Sequence, residues 1–337
     1  MPGLIADTFR RLFYRLPARP RQVQLEVTNR CNLDCPMCPR EVMDIELEHM
    51  PWEVFQQVVD RLHGDEELTL TGWGEPFLHP RIFDMIAYCK QRGHAVRITS
   101  NGLFARPEVA DRIIESGLDA LTFSVDSVGG EVDQGHISHK ALAHIERMPR
   151  LRKNGRPYLR LQATLHAGGA PALYDVIRFA ARHGYDCVNV GRVDRKYDPT
   201  LRRPGALEEE RIFQEADRLA RRLGVQLDWL QYGVSRGLVR WVYRLLRRKL
   251  HRSGRYCLKT FDYTYITREG KVTPCCLLPE KPVGDALRED LQAVWNSEPY
   301  RHFREHYRET CGNCDLWTVA MVDASGPPAP RPSPASR

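Results

Sequence analysis

The sequence predicts an α/β fold, in which a sheet of parallel strands precedes a small α+β domain built around a cysteine-flanked β-hairpin. Two observations carry this prediction. Six strand-like runs alternate with amphipathic helical stretches, and strands that are followed by helices of ordinary length pair in parallel through crossover connections. Eight of the ten cysteines fall into two groups, at 31–38 and at 257–314, which indicates two metal sites rather than scattered thiols.

The strands are predicted from short runs of alternating apolar or β-branched residues between turn-forming residues. They are Gln22–Val27, Glu67–Thr71, Ala95–Thr99, Ala120–Val125, Leu159–Leu165 and Cys187–Val190, with helices near 52–63, 79–92, 106–117, 138–153 and 171–184. Six strands fall short of the eight in a closed barrel. In parallel α/β folds the functional groups lie at the C-terminal ends of the strands, so the candidate site residues are expected there.

Composition fits a globular protein with room for one large and one smaller domain. The chain has 337 residues, 42% of them hydrophobic, and a net charge of +7. No run approaches the roughly 18 apolar residues of a membrane span, and the N-terminal residues Met1–Ile5 lack the order of a secretory signal. We therefore expect a cytoplasmic protein, in which cysteines bind metal more often than they form disulfides. The charge suits an anionic substrate without requiring nucleic acid.

Three cysteines follow the first strand at the spacing Cys31-x3-Cys35-x2-Cys38. Three thiolates this close can hold three irons of a cubane cluster and leave the fourth iron open to a ligand. Zinc is the competing metal. A tight structural zinc site uses four protein ligands, however, and no His or Cys lies just beyond Cys38, so we favour the cluster.

Placed after a first strand, Cys31, Cys35 and Cys38 resemble the signature of the radical S-adenosylmethionine (SAM) superfamily. The resemblance implies a partial (β/α)6 TIM-like barrel and a [4Fe-4S] cluster whose fourth iron is chelated by SAM. It also implies that an electron from a donor such as flavodoxin or ferredoxin cleaves SAM to methionine and a 5'-deoxyadenosyl radical, which abstracts a hydrogen atom from the substrate. Met37 stands where the family usually has an aromatic residue at the SAM site.

The second strand runs into Gly72-Trp73-Gly74-Glu75-Pro76. Glycines let a ligand approach the backbone, and a carboxylate can receive an ammonium group. The segment resembles the family's Gly-Gly-Glu-Pro motif, which implies that Gly72, Trp73, Gly74 and Glu75 bind the amino group of SAM. Trp73 replaces the first glycine of the family pattern.

Short hydrogen-bonding side chains end the next strands, and their family counterparts imply contacts with the ribose and carboxylate of SAM. They are Ser100 and Asn101, Ser124 and Asp126, and Gln162 on the fifth strand. Arg192, at the end of the sixth strand, is a candidate catalytic residue that holds the substrate or assists proton transfer. The alternative for Arg192 is a surface salt bridge with Asp194 or Asp198.

The second cysteine group surrounds a predicted hairpin, Tyr263–Thr267 and Lys271–Thr273, with a turn at Glu269-Gly270. Cys257 precedes the hairpin, Cys275-Cys276 follows it, and Cys311-x2-Cys314 comes later. Four thiolates from these segments can hold an iron–sulfur cluster or zinc, and Cys276 is the spare cysteine. The segment resembles the SPASM or twitch domain of radical SAM enzymes, which implies one auxiliary [4Fe-4S] cluster on Cys257, Cys275, Cys311 and Cys314.

Domain boundaries follow from these assignments. We predict a basic amphipathic arm over 1–20, the core barrel over 21–200, a helical linker over 201–254, the auxiliary-cluster domain over 255–318 and a disordered tail over 319–337. The linker includes a basic amphipathic helix over 236–252 that suits either an anionic substrate or peripheral contact with a membrane. A helix packed by its apolar stripe, with its basic face in water, is the interpretation we favour.

The expected function is that of a radical SAM oxidoreductase or maturase whose auxiliary cluster accepts an electron from the substrate radical. A small or lipid-linked substrate is favoured, because no separate peptide-recognition domain is visible at the N-terminus. A peptide-modifying maturase is the alternative within the superfamily. A non-catalytic metal-binding module with zinc on the C-terminal cysteines is the alternative from another class.

Overall fold

A computed structural model of the chain describes residues 16–43, 45–105, 107–128, 139–195, 198, 200–229, 260 and 262–311. Its centre is one sheet of ten strands, in the order β10-β9-β8-β1-β2-β3-β4-β5-β6-β7. The strands are β1 (Gln22–Leu25), β2 (Glu67–Leu70), β3 (Ala95–Ser100), β4 (Ala120–Ser124), β5 (Tyr158–Leu165), β6 (Cys187–Arg192), β7 (Gln226–Trp229), β8 (Tyr263–Ile266), β9 (Lys271–Thr273) and β10 (Gly284–Asp285).

Helices connect the parallel strands. They are α1 (Trp52–Asp60), α2 (Ile82–Gln91), α3 (Pro107–Glu115), α4 (His139–Ile145), α5 (Met148–Leu151), α6 (Ala170–His183), α7 (Ala206–Leu223), α8 (Leu291–Trp295) and α9 (Glu298–Cys311). Every second strand residue, such as Leu68 and Leu70 on β2, is buried in the hydrophobic core with apolar residues of the helices. This period-two burial leaves the intervening, more polar residues on the opposite, inner face of the sheet.

The six predicted strands are confirmed as β1 to β6, and the pairs from β1 to β7 are all parallel. Two predictions need correction. The helix predicted over 138–153 is two helices, α4 and α5. The predicted linker contains β7, a seventh parallel strand that α7 connects to β6. The alternation in Gln226-Leu-Asp-Trp spans one strand of four residues, which is too short to stand out in a sequence.

The predicted hairpin is confirmed as β8 and β9, joined by a turn in which Gly270 N donates to Thr267 O at 2.9 Å. It does not stand apart from the barrel. β8 pairs in parallel with β1, with Gln22 opposite Tyr263 and Leu25 opposite Ile266. The C-terminal domain therefore extends the core sheet past its first strand. Within the described part of the chain, no helix has the length and apolar character needed to cross a bilayer.

Candidate active site

The three cysteines of the first group lie on the loop that leaves β1, at the C-terminal edge of the sheet. Their side chains are half-buried, and Cys38 N donates to Cys35 O at 2.9 Å. Burial, followed by the charges of Cys38 and Cys31, raises the pKa of Cys35 to about 12. A metal deprotonates the thiols that coordinate it, and thiolate sulfur is the donor that iron–sulfur clusters use, so the chemistry of this donor set fits an iron cluster.

Arg40 supplies positive charge to this loop, and the sequence analysis did not identify it. Its buried guanidinium donates to Leu33 O at 3.0 Å and to Asp34 Oδ1 at 2.8 Å. The same charge opposes the rise in the pKa of Cys35. Arg40 therefore fixes the loop conformation and favours the thiolate form of its cysteines.

Replacing Arg40 by Gln is expected to weaken iron binding at the first site about 10–100-fold, as is usual when a residue that supports metal ligands is lost. The measurement is iron retained per chain during anaerobic titration with a chelator. Arg81→Gln is the matched control, because Arg81 pairs with Asp84 on the surface. Equal retention in the Arg40 and Arg81 variants would contradict the role given to Arg40.

The segment Gly72–Glu75 packs directly against the chain that enters the cysteine loop. Gly74 N donates to Thr28 O at 3.2 Å, and Glu75 N donates to Arg30 O at 2.8 Å. A Cβ atom on Gly72 would lie 2.7 Å from Thr28 O, and one on Gly74 would lie 2.7 Å from Arg30 N. Both distances are far below van der Waals contact, so only glycine allows the two loops to lie this close.

Glu75 links this segment to the end of β3. Its carboxylate accepts hydrogen bonds from Phe77 N at 3.1 Å, Ser100 Oγ at 2.9 Å and Asn101 N at 2.7 Å. The residue is only 2% exposed. Burial raises the pKa of Glu75 to about 7, although the three hydrogen bonds oppose this rise. The structure therefore holds a carboxyl group that titrates near neutral pH beside the cysteine loop.

The other predicted SAM-binding residues meet at the same edge of the sheet. Asn101 Nδ2 donates to Asn32 Oδ1 at 2.8 Å and lies 3.9 Å from Cys31 Sγ. Ser124 pairs in register with Gln162. Asp126 accepts from Thr164 N at 2.6 Å, and its charge acts on Cys35. Asn101 and Asp126 thus lie at the cysteine loop, which also carries half-buried Met37. The contacts of all these residues with SAM remain predictions.

Arg192 lies at the end of β6 and forms a two-pronged ion pair with Glu209 on α7. Both side chains are largely buried. The sequence analysis considered Asp194 and Asp198 as partners and missed Glu209, because the pair depends on how α7 packs against the sheet. Arg192 is therefore a structural ion-pair residue here, and its catalytic role stays a prediction.

Two cysteines of the second group meet in a separate buried cluster. Cys275 and Cys311, far apart in sequence, pack in this cluster with Phe303 and Tyr307. Trp73 and Cys276 pack against the cluster. The predicted ligands Cys257 and Cys314 lie outside the described residues, as does the basic segment 236–252. Half of the predicted ligand set therefore converges, which fits a thiolate-bound auxiliary cluster.

A buried acidic residue that the sequence analysis missed connects the two cysteine sites. Glu26 follows β1 and accepts a hydrogen bond from the Tyr265 hydroxyl of β8 at 2.7 Å. Burial raises the pKa of Glu26, while hydrogen bonds from Tyr265 and from the backbone of Trp73 oppose the rise. Glu26 continues the alternation that puts Gln22 and Gln24 on one face of β1, and an acidic residue at that position is the signal that could have identified it.

Taken together, a sheet of parallel strands, a three-cysteine loop after β1 and a glycine-glutamate segment after β2 define a partial TIM-like barrel enzyme with an iron–sulfur site at its strand ends. Family comparison gives the class. Residues 25–168 match the model of the radical SAM superfamily, and residues 257–315 match that of the SPASM iron–sulfur cluster-binding domain. The two matches span more than half of the chain, which belongs to the radical SAM superfamily and carries a SPASM domain.

Similar proteins agree with this assignment. The chain is 25% identical over 331 residues to the tungsten-containing aldehyde ferredoxin oxidoreductase cofactor-modifying protein of Pyrococcus furiosus, across 88% of this chain and 87% of the relative. It is 23% identical over 331 residues to the AdoMet-dependent heme synthase of Methanosarcina barkeri, across 89% of this chain and 90% of the relative.

The crystal structure of Streptococcus suis SuiB bound to precursor peptide SuiA is similar in fold, with a TM-score of 0.69 and 13% identity, and it covers 94% of this chain and 74% of SuiB. The chain is therefore an enzyme, and the non-catalytic alternative is set aside. Family membership implies a [4Fe-4S] cluster and SAM in the core and auxiliary iron–sulfur chemistry in the C-terminal domain.

Proposed function

We propose that this enzyme oxidises or rearranges a small anionic substrate, or the anionic part of a lipid-linked one, inside the barrel. When bound, the SAM-binding cluster and SAM supply a 5'-deoxyadenosyl radical that abstracts a hydrogen atom, with electrons from a flavodoxin- or ferredoxin-type donor. Ser124 and Gln162, which pair in register on β4 and β5, are the side chains proposed to orient bound groups. The choice of an anionic substrate rests on the environment of Arg160.

Arg160 lies on the inner face of β5. Its neighbours Leu159 and Leu161 are fully buried in the core, so Arg160 points to the other side of the sheet. The guanidinium lies 4.8 Å from the centre of the Tyr158 ring, and its Nε is buried without a hydrogen-bond partner. Within the described ranges no salt bridge to Arg160 is formed. Glu67 is close enough for Arg160 to lower its pKa, but a buried guanidinium nitrogen without a hydrogen bond is costly unless a ligand pairs with it.

A second guanidinium strengthens the case for an anion. Arg97, on the inner face of β3, has its pKa lowered by burial, and the nearby charge of Arg160 lowers it further, while Glu67 opposes this effect. Glu67 forms an ion pair with Arg97. Glu67 and Asp119 both act on Arg97, whereas no carboxylate lies within ion-pair distance of Arg160 among the described residues. Guanidinium groups bind carboxylates and phosphates in a bidentate manner.

The position of Arg160 also suits a substrate that reaches the radical. Thr164 lies four residues further along β5, which is about 13 Å in an extended strand. Thr164 N is hydrogen-bonded to Asp126, whose charge acts on Cys35. A substrate whose anionic group binds Arg160 would therefore reach the cysteine loop if its carbon framework is about 13 Å long. The heme synthase among the relatives acts in the metabolism of such a carboxylate-bearing molecule.

The test compares the wild type with Arg160→Gln in assays of carboxylate-bearing tetrapyrroles and of short peptides. The readouts are substrate consumption and 5'-deoxyadenosine formed. We expect the KM for a carboxylate substrate to rise about 10–150-fold, since a charge-assisted hydrogen bond contributes about 1.5–3 kcal/mol. SAM cleavage without substrate should be unchanged, because Arg160 is remote from the cysteine loop. Arg178→Gln is the matched control, because Arg178 pairs with Asp175 on the surface of α6.

An unchanged KM in the Arg160 variant would contradict the proposed anion site. Turnover of peptides but not of carboxylate-bearing small molecules would favour the maturase alternative, for which the peptide complex of SuiB gives a structural precedent. In that case Arg160 would be expected to pair with an acidic side chain or the C-terminal carboxylate of the peptide.

A further inference from the structure

Trp73 stands at the family's glycine position, between the two cysteine sites. Its indole Nε1 donates a hydrogen bond to Cys276 O at 2.9 Å. The ring packs against the buried cluster that contains Cys275 and Cys311. The flanking glycines, Gly72 and Gly74, fix the backbone of this segment against the chain that enters the first cysteine loop. One side chain thus joins the SAM motif to the second cysteine site.

The surrounding contacts make this junction rigid. Glu26 accepts from the backbone of Trp73 and from the Tyr265 hydroxyl. Tyr263 donates to Gln24 Oε1 at 2.7 Å from the same hairpin. Tyr263 and Tyr265 are both buried and both lie near Cys275 and Cys276. The backbone of Trp73 is therefore held by Glu26 of the core sheet, and its indole is held by the loop after β9.

We propose that Trp73 is a positioning residue that closes one side of the auxiliary-cluster site and ties its loop to the SAM motif. Its ring would exclude water from the cluster on Cys275 and Cys311, and its N–H would fix the adjoining Cys276 carbonyl. This inference rests on the assignment of those cysteines as cluster ligands. Solvent exposure and hydrogen bonding near the sulfurs set the reduction potential of an iron–sulfur cluster, so the role has an electrochemical consequence.

Removing the ring would admit water, which stabilises the more negatively charged reduced cluster and raises its potential. Trp73→Gly restores the family's glycine and removes both contacts, whereas Trp73→Phe keeps much of the ring and removes only the N–H donor. We therefore expect an upward shift of the auxiliary-cluster potential in Trp73→Gly and a smaller one in Trp73→Phe. The cluster on Cys31, Cys35 and Cys38 should keep its potential.

The experiment is an anaerobic redox titration, followed by EPR, of the reconstituted full-length wild type, both Trp73 variants and Trp52→Phe. Trp52 is a matched control, because it stacks on Phe55 in α1 away from both cysteine groups. The expected result is a shift in the midpoint potential of the auxiliary cluster alone, larger in Trp73→Gly than in Trp73→Phe. If Trp73→Gly fails to fold, Trp73→Phe still tests the hydrogen bond.

Two outcomes would overturn the inference, and iron content separates them. About eight irons per chain with auxiliary potentials equal in all four proteins would show that Trp73 has no positioning role, although the cluster assignment stands. About four irons in the wild type, with zinc at the C-terminal cysteines, would remove the auxiliary cluster and the role of Trp73 with it, while leaving the anion site at Arg160 to be judged by its own assay.

Discussion

Replacing Cys31, Cys35 and Cys38 together by Ala is expected to abolish SAM cleavage and to remove about four of about eight irons per chain. The three thiols lie on one loop, and the charges of Cys31 and Cys38 already act on Cys35, so they form one site. The second cysteine cluster is held by different elements, Cys275 after β9 and Cys311 at the end of α9. Its irons should therefore survive the substitution.

The measurement is anaerobic iron and sulfide content with EPR of the reduced protein. Cys89→Ala is the matched control, because Cys89 is a fully buried thiol in α2. It should keep both EPR signals, and SAM should perturb the signal that the triple variant lacks. About four irons in the wild type and none in the triple variant would contradict the presence of two clusters and would leave zinc as the C-terminal metal.

Replacing Glu75 by Gln is expected to weaken SAM binding about 10–150-fold, the range for losing one charge-assisted hydrogen bond. The effect should depend on pH. Because the pKa of Glu75 is about 7 in the folded protein, the carboxylate that we propose as the partner of the SAM amino group is lost below neutral pH. Affinity in the wild type should therefore fall about tenfold from pH 8 to pH 6, relative to the variant at each pH.

Equilibrium dialysis with radiolabelled SAM would measure both proteins across this range, and comparison with the variant removes the titration of SAM itself. Glu66→Gln is the matched control. Glu66 is an equally buried carboxylate at the other end of β2, where it accepts from Gly64 N at 3.0 Å. A parallel pH profile in the wild type and the Glu75 variant would show that this carboxyl does not reach SAM.

Glu75 also affects the stability of the fold in a defined direction. Burial raises its pKa from 4.5 to about 7, so between these values the folded state holds a proton that the unfolded state has released. Stability contributed by this group is therefore present below pH 4.5 and is lost as the pH rises through about 7. The folded protein thus tolerates an unfavourable buried carboxylate at neutral pH, which is typical of a functional site.

Much of the fold and of the candidate site could be predicted, because these parts depend on local sequence. The alternation in β1 to β6, the spacing of Cys31, Cys35 and Cys38, and the glycines around Trp73 each mark a structure within a few residues. Where parallel strands end at one edge, motifs that follow them come together. The grouping of Glu75, Ser100 and Asn101 follows from that geometry.

The remaining features depend on contacts between distant segments. The pairing of Arg192 with Glu209, the burial of Glu26 beneath Tyr265 and the hydrogen bond from Trp73 to Cys276 all join residues whose proximity no local pattern encodes. Arg160 is similar, because only the assembled inner face of the sheet shows that its Nε has no hydrogen-bond partner among the described residues. Such features follow from tertiary packing.

The pairing of β8 with β1 limits how the enzyme can open. Parting the C-terminal hairpin from the barrel would break a backbone ladder of four paired residues and separate Tyr265 from Glu26. Hinge opening of domains uses segments with few such bonds. The spacing between the two cysteine sites is therefore expected to stay constant during turnover.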